Sequence, residues 1–344
     1  MCNIAGYVGS RPAAPILIEM MKREEGFAGG FYSGIATIHE GKIYYAKLTG
    51  DMEHLLANTD AASLPGTVGV IHSRSKSGGG DEWAHPFVAT RENEIFSAYV
   101  ANGSSGFFKS RRTNADALAE KLHTLGYQMH SRGAAVSGYP TLSDGTGVHM
   151  SDLMCQLIQY NMDNGCDEIA AMDAAFHTMP GEIVGLLLSL TDPSAITWSR
   201  INMPMFVGFA SHGAYLSSSA LAFPNDAEGE TLLPCLSSGK VYADRYTVVP
   251  YKTELGDMGV INDTITKEAY GIIERLLKEG SKTFSDLYKA VAPVFGTHDF
   301  IDNEPLTYRI LQAISKEGKL TWENLRVPGS ADGLTAPKTH FSMK

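Results

Sequence analysis

The chain opens with residues 1–10, MCNIAGYVGS. Residues 4–8 are an apolar run interrupted and closed by glycine, a pattern that predicts a buried strand at the start of the chain. Cys2 stands immediately before that strand. If Met1 is removed, Cys2 carries both a thiol and a free α-amine. An α-amine has a pKa of roughly 7.7–8.0, so part of it is neutral near pH 7 and can accept the thiol proton.

Composition and charge exclude several function classes. The chain has 344 residues, of which 44% are hydrophobic and 19% charged, as in ordinary globular proteins. The net charge of −10 opposes binding to nucleic acid or to acidic membranes. The cysteines are too widely spaced for a zinc ribbon or a redox dithiol, and the scattered histidines suggest no metal site. These cysteines are Cys2, Cys155, Cys166 and Cys235.

Nothing in the sequence predicts targeting to a membrane or to an export route. The N-terminus lacks a basic segment followed by an apolar one, so it does not have the form of a secretory signal. Residues 183–190 are the longest apolar run, and eight residues are too few to cross a bilayer. We therefore expect a cytoplasmic protein without a cofactor.

Hydrophobic periodicity predicts strands first, then helices, then strands again. This order favours an α+β sandwich over a doubly wound α/β sheet. The first strand must be central in its sheet if it carries a nucleophile. The predicted strands are 4–8, 31–50 as a hairpin, 67–73, 94–100, 182–189, 195–199, 205–209, 214–218 and 240–249. The predicted helices are 13–27, 51–58, 114–125, 151–161 and 166–177, with a long loop at 130–149.

The character of the sequence changes near residue 262. We predict a main domain at 1–261, a small, mostly helical, winged-helix-like module at 262–328 and a loose tail at 329–344. From residue 262 onward the chain has 11 basic and 11 acidic residues. A DNA-reading module normally has a basic face, so a structural or partner-docking role is the better interpretation.

Three further short stretches carry residues suited to amide chemistry. IHSR, at 71–74, ends a predicted strand with Arg74, which can hold a carboxylate through two parallel hydrogen bonds. AHPF, at 84–87, places His85 in a loop. At the next strand end, the Asn102 side-chain amide and the Gly103 backbone N–H can form a two-donor oxyanion hole. Each stretch alone is also compatible with an ordinary ion pair or turn.

Together with the N-terminus, these stretches resemble the class II glutamine amidotransferases, which are N-terminal-nucleophile hydrolases. The likeness is to the glutaminase domain of glucosamine-fructose-6-phosphate synthases and covers about residues 1–250. MCNIAGYVG is similar to that family's Met-Cys-Gly-Ile-x-Gly-Tyr opening, and IHSR to its Ala-His-Thr-Arg. AHPF is similar to Asn-Ala-His-Pro-His, and ANGS to His-Asn-Gly.

The resemblance implies a four-layer αββα sandwich and a glutamine-hydrolysing site. Cys2 would attack the side-chain amide of glutamine, and its own α-amine would move the proton. Asn102 and Gly103 would hold the oxyanion, while Arg74 and His85 would contribute to substrate binding. Ammonia would leave, and water would cleave the thioester. Because the chain lacks the family's sugar isomerase half, the ammonia would need a separate synthase subunit as acceptor. Homo-oligomerisation stays open.

The sequence departs from the family around the predicted substrate. After the arginine, the family has Trp-Ala-Thr-His-Gly, whereas this chain has SKSGG beginning at Ser75. Met150 stands where the family has an aspartate for the substrate ammonium. A buried ammonium needs a carboxylate partner, so Asp144 or Asp152 is predicted to take that place.

Three functions therefore follow as hypotheses. The first is a stand-alone glutamine amidotransferase or glutaminase. The second is an amidohydrolase that uses the same nucleophile on another small amide. The third is a catalytically degenerate scaffold that binds a partner, and retention of Met1 would favour it.

Overall fold

The computed structural model describes residues 2–103, 114–181 and 183–344. Its strands are β1 (Asn3–Gly9), β2 (Tyr32–His39), β3 (Lys42–Thr49), β4 (Val68–Arg74), β5 (Phe87–Arg91), β6 (Glu94–Asn102), β7 (Val184–Ser189), β8 (Ile196–Arg200), β9 (Phe206–Ala210), β10 (Gly213–Ser217), β11 (Glu228–Leu232), β12 (Ser237–Val241), β13 (Val249–Pro250), β14 (Met258–Gly259), β15 (Lys282–Thr283), β16 (Phe300–Ile301), β17 (Leu320–Pro328) and β18 (Thr335–Met343). Its α-helices are α1 (Ala13–Ala28), α2 (Met52–Asn58), α3 (Ala115–Thr124), α4 (Met150–Asp163), α5 (Glu168–Thr178), α6 (Asp263–Glu279), α7 (Phe284–Val291) and α8 (Asn303–Lys316).

The N-terminal strand lies in the middle of a sheet, as its sequence predicts. The first sheet has the order β11-β9-β10-β1-β4-β2-β3, and β1 pairs antiparallel with both β10 and β4. The second sheet has the order β13-β12-β8-β7-β6-β5. Both sheets are antiparallel, in agreement with an α+β fold.

The two sheets pack face to face through alternate residues of their strands. Ile4 and Val8 of β1 lie in the same buried cluster as Ala98 and Val100 of β6. At Gly6, between Ile4 and Val8, a Cβ would lie 2.9 Å from the side chain of Ile196 on the opposite sheet. Glycine therefore allows close sheet-to-sheet packing at this point.

Helices cover the outer face of each sheet. The odd-numbered residues of β1, Ala5 and Tyr7, pack in a cluster with α1 and with helices of the C-terminal region. On the second sheet, Tyr99 and Ala101 of β6 pack with α4 and α5. The layers are thus helix, sheet, sheet and helix, and the predicted αββα sandwich is confirmed.

The C-terminal region lies against the outside of the first sheet's helix layer. It consists of α6, α7 and α8 with a three-stranded sheet of order β15-β18-β17. The aromatic ring of Phe27 on α1 lies 5.0 Å from that of Phe341 on β18. The region thus packs into the same hydrophobic cluster as α1. A domain boundary at 261/262 stays a prediction.

Three local predictions are corrected. Residues 329–344 are not a loose tail, because β18 pairs with β17 over the whole length of both strands and with β15. The strand predicted at 240–249 is instead β12 and β13, separated by a turn in which the Tyr242 N–H donates to the Arg245 carbonyl at 2.8 Å. β5 follows the AHPF stretch and was not predicted. None of the helices in the described ranges has the length and apolar character needed to cross a membrane.

Candidate active site

Strand parity brings Cys2 and Asn102 to the same space between the sheets. Cys2 shares its parity with Ile4 and Val8, which face the second sheet. Asn102, the last residue of β6, shares its parity with Val100, which faces the first sheet. The Cys2 backbone nitrogen donates to Asn102 Oδ1 at 3.0 Å, so the two residues are in direct contact across the sandwich.

That hydrogen bond fixes the orientation of the Asn102 amide. Because Oδ1 accepts from Cys2, the amide NH₂ must point the other way, and it lies 3.8 Å from Met203 Sδ. A thioether sulfur is a weak acceptor, so the Nδ2 donors remain available for a stronger one. The Asn102 side chain is buried, while its neighbours Ala101 and Gly103 line an adjoining cavity.

His72 acts on the thiol from the neighbouring strand. It lies opposite Ile4 in the β1–β4 register, and its Nε2 is 2.9 Å from the Ala101 carbonyl. A carbonyl can only accept, so Nε2 carries a proton. Burial raises the pKa of the Cys2 thiol, but the hydrogen bond and charge of His72, with the Ser75 backbone, outweigh that effect and lower the pKa to about 6. Cys2 is therefore a thiolate at neutral pH.

Two more histidines surround His72. The His85 ring stacks on His72 at a centroid distance of 3.7 Å and meets the His149 ring edge-on at 5.3 Å. Burial, reinforced by the charges of His72 and Arg74, lowers the pKa of both His85 and His149 well below the ordinary value. Both rings are neutral and act as packing and hydrogen-bonding surfaces.

Gly34 allows the His85 segment to lie against β2. A Cβ at this position would lie 2.0 Å from the His85 carbonyl oxygen, so any larger residue would displace the segment. His85 is buried, and neither ring nitrogen has a hydrogen-bond partner among the described residues. Within the described ranges, no group of three or more His, Cys, Asp or Glu side chains is arranged to hold a metal ion.

Arg74 is buried at the end of β4 and organises the loop that follows it. Its guanidinium donates to the carbonyl oxygens of Ser75 at 3.3 Å, of Trp83 at 2.5 Å and of Gly78. It also stacks over the Tyr32 ring, 3.7 Å from the centroid. These three bonds use Nε and one N–H on each terminal nitrogen, so one N–H on each has no acceptor among the described residues and could donate to a ligand.

A cavity of about 370 Å³ opens beside Cys2. Its lining includes most of the residues that the sequence singled out, namely Cys2, Arg74, Ser75, His85 and Gly103. Ser75 Oγ lies 3.9 Å from Cys2 Sγ. The N-terminal cysteine, the IHSR stretch, the AHPF loop and the end of β6 thus converge on one space.

The two aspartates predicted as substrate partners are not brought to this cavity. Asp144 is exposed and forms an ion pair with Arg132. Asp152 is buried, but its carboxylate accepts from the N–H and hydroxyl of Ser131 at 2.7 and 2.8 Å and from Gln156 at 3.1 Å. Neither is among the residues lining the cavity, and a role for either in substrate binding stays a prediction.

Several lining residues were missed by the sequence reading. His149 caps the N-terminus of α4, with Nδ1 accepting from Ser151 N–H at 3.1 Å, and Met150 follows it. Tyr288 and Glu304 come from the C-terminal region, on α7 and α8, and also line the cavity. His149 was adjacent to a residue already singled out. Nothing in the local sequence marks Tyr288 or Glu304.

Comparison with known proteins finds several relatives of this chain. No protein-family model matches its sequence. The chain is 28% identical over 231 residues to a glutamine–fructose-6-phosphate aminotransferase of Rhizobium leguminosarum, covering 66% of this chain and 33% of the relative. It is 25% identical over 254 residues to the enzyme of that name in Pyrococcus horikoshii, covering 72% and 37%. The chain thus spans about a third of the length of these relatives.

The fold has a parallel among solved structures. The glutamine phosphoribosylpyrophosphate amidotransferase of B. subtilis superposes with a TM-score of 0.57 at 16% identity, over 75% of this chain and 50% of that one. The resemblance to class II glutamine amidotransferases is therefore confirmed in sequence and in fold.

Proposed function

We propose that this chain hydrolyses the side-chain amide of glutamine to glutamate and ammonia through a thioester on Cys2. The observation that carries the proposal is the 3.0 Å hydrogen bond from the Cys2 nitrogen to Asn102 Oδ1 beside the cavity. This bond holds Cys2, whose thiol pKa is lowered to about 6, beside the Asn102 amide, whose Nδ2 N–H groups can donate to an oxyanion. The proposed substrate, glutamine, is taken from the names of the relatives given above.

The reaction begins with attack of the Cys2 thiolate on the amide carbon. The carbonyl electron pair moves onto oxygen, where the N–H groups of Asn102 and Gly103 hold the negative charge. Collapse of the intermediate expels the nitrogen, which takes up a proton and leaves as ammonia. Water then attacks the resulting thioester, releasing glutamate and returning the thiol.

Proton transfer to the leaving nitrogen requires a free amine at Cys2. With Met1 in place, the Cys2 nitrogen belongs to a peptide bond and cannot accept a proton. After removal of Met1 it becomes an α-amine with a pKa of roughly 7.7–8.0, which exchanges protons readily near neutral pH. The proposal therefore includes processing of the chain to begin at Cys2.

Met150 favours a second candidate function. It presents an apolar side chain to the cavity in the place where the family has an acid, and Ser75 replaces the family's tryptophan. An amidohydrolase that acts on another small amide would use the same nucleophile and oxyanion donors. A cytoplasmic location is proposed for either candidate, whereas a separate subunit that accepts the ammonia belongs to the first proposal only.

The test measures ammonia and glutamate released from glutamine, together with the intact mass of the protein. We expect a mass without Met1, stoichiometric products, and a loss of kcat of about 10⁴-fold or more in Cys2→Ala. Cys166→Ala, at a cysteine outside the cavity, is the matched control and should retain activity. Equal release by wild type and Cys2→Ala would refute the proposal. No release combined with a retained Met1 would support a non-catalytic scaffold, and release from other amides alone would support the second candidate.

A further inference from the structure

The charges that line the cavity come from two different parts of the molecule. Among the described lining residues, Arg74 carries the sole guanidinium and Glu304 the sole carboxylate. Arg74 ends a strand of the sandwich, whereas Glu304 lies in the first turn of α8 in the C-terminal region. The lining histidines His85 and His149 are neutral, as shown above. The described part of the cavity lining therefore holds one guanidinium and one carboxyl group, from two different parts of the chain.

Glu304 is held firmly in this position. Glu304 is only 7% exposed, and the N-terminal turn of a helix favours a negative charge. The preceding residue, Asn303, donates to the Tyr288 carbonyl at 3.0 Å, which ties the two lining residues of the C-terminal region together.

The start of α8 is also anchored to the sandwich. Asp302 forms a buried ion pair with Arg200 at 2.5 Å, and Asn202 Nδ2 donates to the Ile301 carbonyl at 3.1 Å. Arg200 and Asn202 adjoin Met203, another lining residue. The residues just before Glu304 are therefore anchored to both the sandwich and α7, and Glu304 itself is buried, so it belongs to the cavity wall and not to the molecular surface.

We infer that Glu304 is the specificity-determining residue for the substrate's α-ammonium group, so that the C-terminal region completes a receptor for a zwitterionic α-amino acid amide. The inference rests on the proposed function and deepens it. A substrate of this kind carries one carboxylate and one ammonium, and burying either without a partner is costly. The two free N–H groups of Arg74 suit the carboxylate. Glu304 supplies the opposite charge that Met150, Asp144 and Asp152 do not.

The test compares two substrates that differ only in the ammonium group. Glutamine and 4-carbamoylbutanoate share the amide and the carboxylate, but the second lacks the α-amino group. We expect Glu304→Gln to lower kcat/KM for glutamine about 10- to 100-fold, mainly through KM, since one charged hydrogen bond is lost. Activity on 4-carbamoylbutanoate should stay within about threefold of wild type.

Controls separate this role from a structural one. Glu317→Gln, at an exposed position at the end of the same helix, should leave both substrates unaffected, and Glu304→Asp should recover part of the preference for glutamine. Thermal unfolding of Glu304→Gln checks that the variant is folded. As a second measurement, calorimetric binding of glutamate to Cys2→Ala should weaken when Glu304→Gln is added.

The outcomes distinguish a failure of the role inferred for Glu304 from a failure of the proposed function. Equal losses on both substrates, or unchanged glutamine hydrolysis and glutamate binding, would overturn the role of Glu304 while leaving the proposed function intact. A wild-type protein that hydrolyses neither substrate would instead remove the proposed function. A preference for 4-carbamoylbutanoate in the wild type would also overturn the inference.

Discussion

Two parts of the site are built in different ways. One part, which we call the nucleophile wall, consists of Cys2 and Gly103 in the cavity lining with His72 and Asn102 buried beside them, all at or near the ends of strands in the two sheets. Its geometry follows from strand parity and from hydrogen bonds between neighbouring strands. Chemistry of this kind needs fixed positions, and the middle of a sheet supplies them.

The other part, which we call the recognition wall, consists of the lining residues Met150, Tyr288 and Glu304 on three helices. Its members are held by contacts between separate layers rather than by a continuous sheet. The comparison teaches that the reaction and the choice of substrate are supported by different parts of the fold. Each part can therefore be disturbed separately, and the predictions below do so in order of expected effect.

The largest effect is expected where α8 is anchored to the sandwich. Asp302→Ala would leave the Arg200 guanidinium, which is 1% exposed, without its carboxylate partner. An uncompensated buried charge costs roughly 3–5 kcal/mol of unfolding free energy, measurable by urea denaturation. Asp244→Ala is the contrasting control, because the Asp244–Arg245 pair is exposed and should contribute about 0–1 kcal/mol.

This prediction tests whether the recognition wall depends on the anchor. If Asp302→Ala remains folded at low temperature, KM for glutamine should rise more than kcat falls, because Glu304 adjoins the altered helix end. A loss of stability no larger than that of Asp244→Ala would contradict the importance given to the buried pair.

The nucleophile wall is tested at Asn102. Asn102→Ala should lower kcat for glutamine by roughly 10²–10³-fold with little change in KM, since an oxyanion donor acts in the transition state. Asn102→Asp keeps an acceptor for the Cys2 nitrogen but lacks the Nδ2 donors. A comparable loss in Asn102→Asp would assign the effect to the donors. Wild-type kcat in Asn102→Asp would show that Asn102 serves only to position Cys2.

A smaller effect is expected from His72 on the reactivity of the thiol. In His72→Phe the burial of Cys2 is no longer offset, so the thiol pKa should rise from about 6 towards its ordinary value of 9.0 or above. The thiolate is the form present above the pKa, so at pH 7 it would change from the major species to a minor one. The rate of iodoacetamide alkylation at pH 7 should fall roughly 10-fold or more.

The measurement is the alkylation rate of the Cys2 peptide between pH 5 and pH 10, followed by mass spectrometry. His123→Phe, at an exposed position near the end of α3, is the control and should leave the profile unchanged. An unchanged midpoint in His72→Phe would mean that another group, such as the Ser75 backbone, sets the pKa of the thiol.

Much of the sandwich could be read from local patterns. The apolar run after Cys2 predicted a buried strand, which had to be central if Cys2 is a nucleophile, and β1 is central. The loose tail at 329–344 was a wrong prediction for a physical reason: β18 gains its stability by pairing with β17 and β15. Pairing partners are not visible in a strand's own sequence.

The sequence by itself determined the nucleophile wall. Cys2, Asn102 and Gly103 of this wall, and Arg74 elsewhere in the cavity lining, are marked by short motifs at strand ends, and the period of two in a strand dictates which side chains face the other sheet. Local chain geometry is enough to place them.

Only the tertiary structure decided where the opposing carboxylate comes from. The sequence pointed to Asp144 or Asp152. Asp144, however, pairs with Arg132 on the surface, and Asp152 accepts a hydrogen bond from Ser131. Glu304 reaches the cavity because α8 packs against a sandwich formed by residues hundreds of positions earlier. Such contacts depend on how layers pack, and packing between distant segments leaves no periodic signal in the chain.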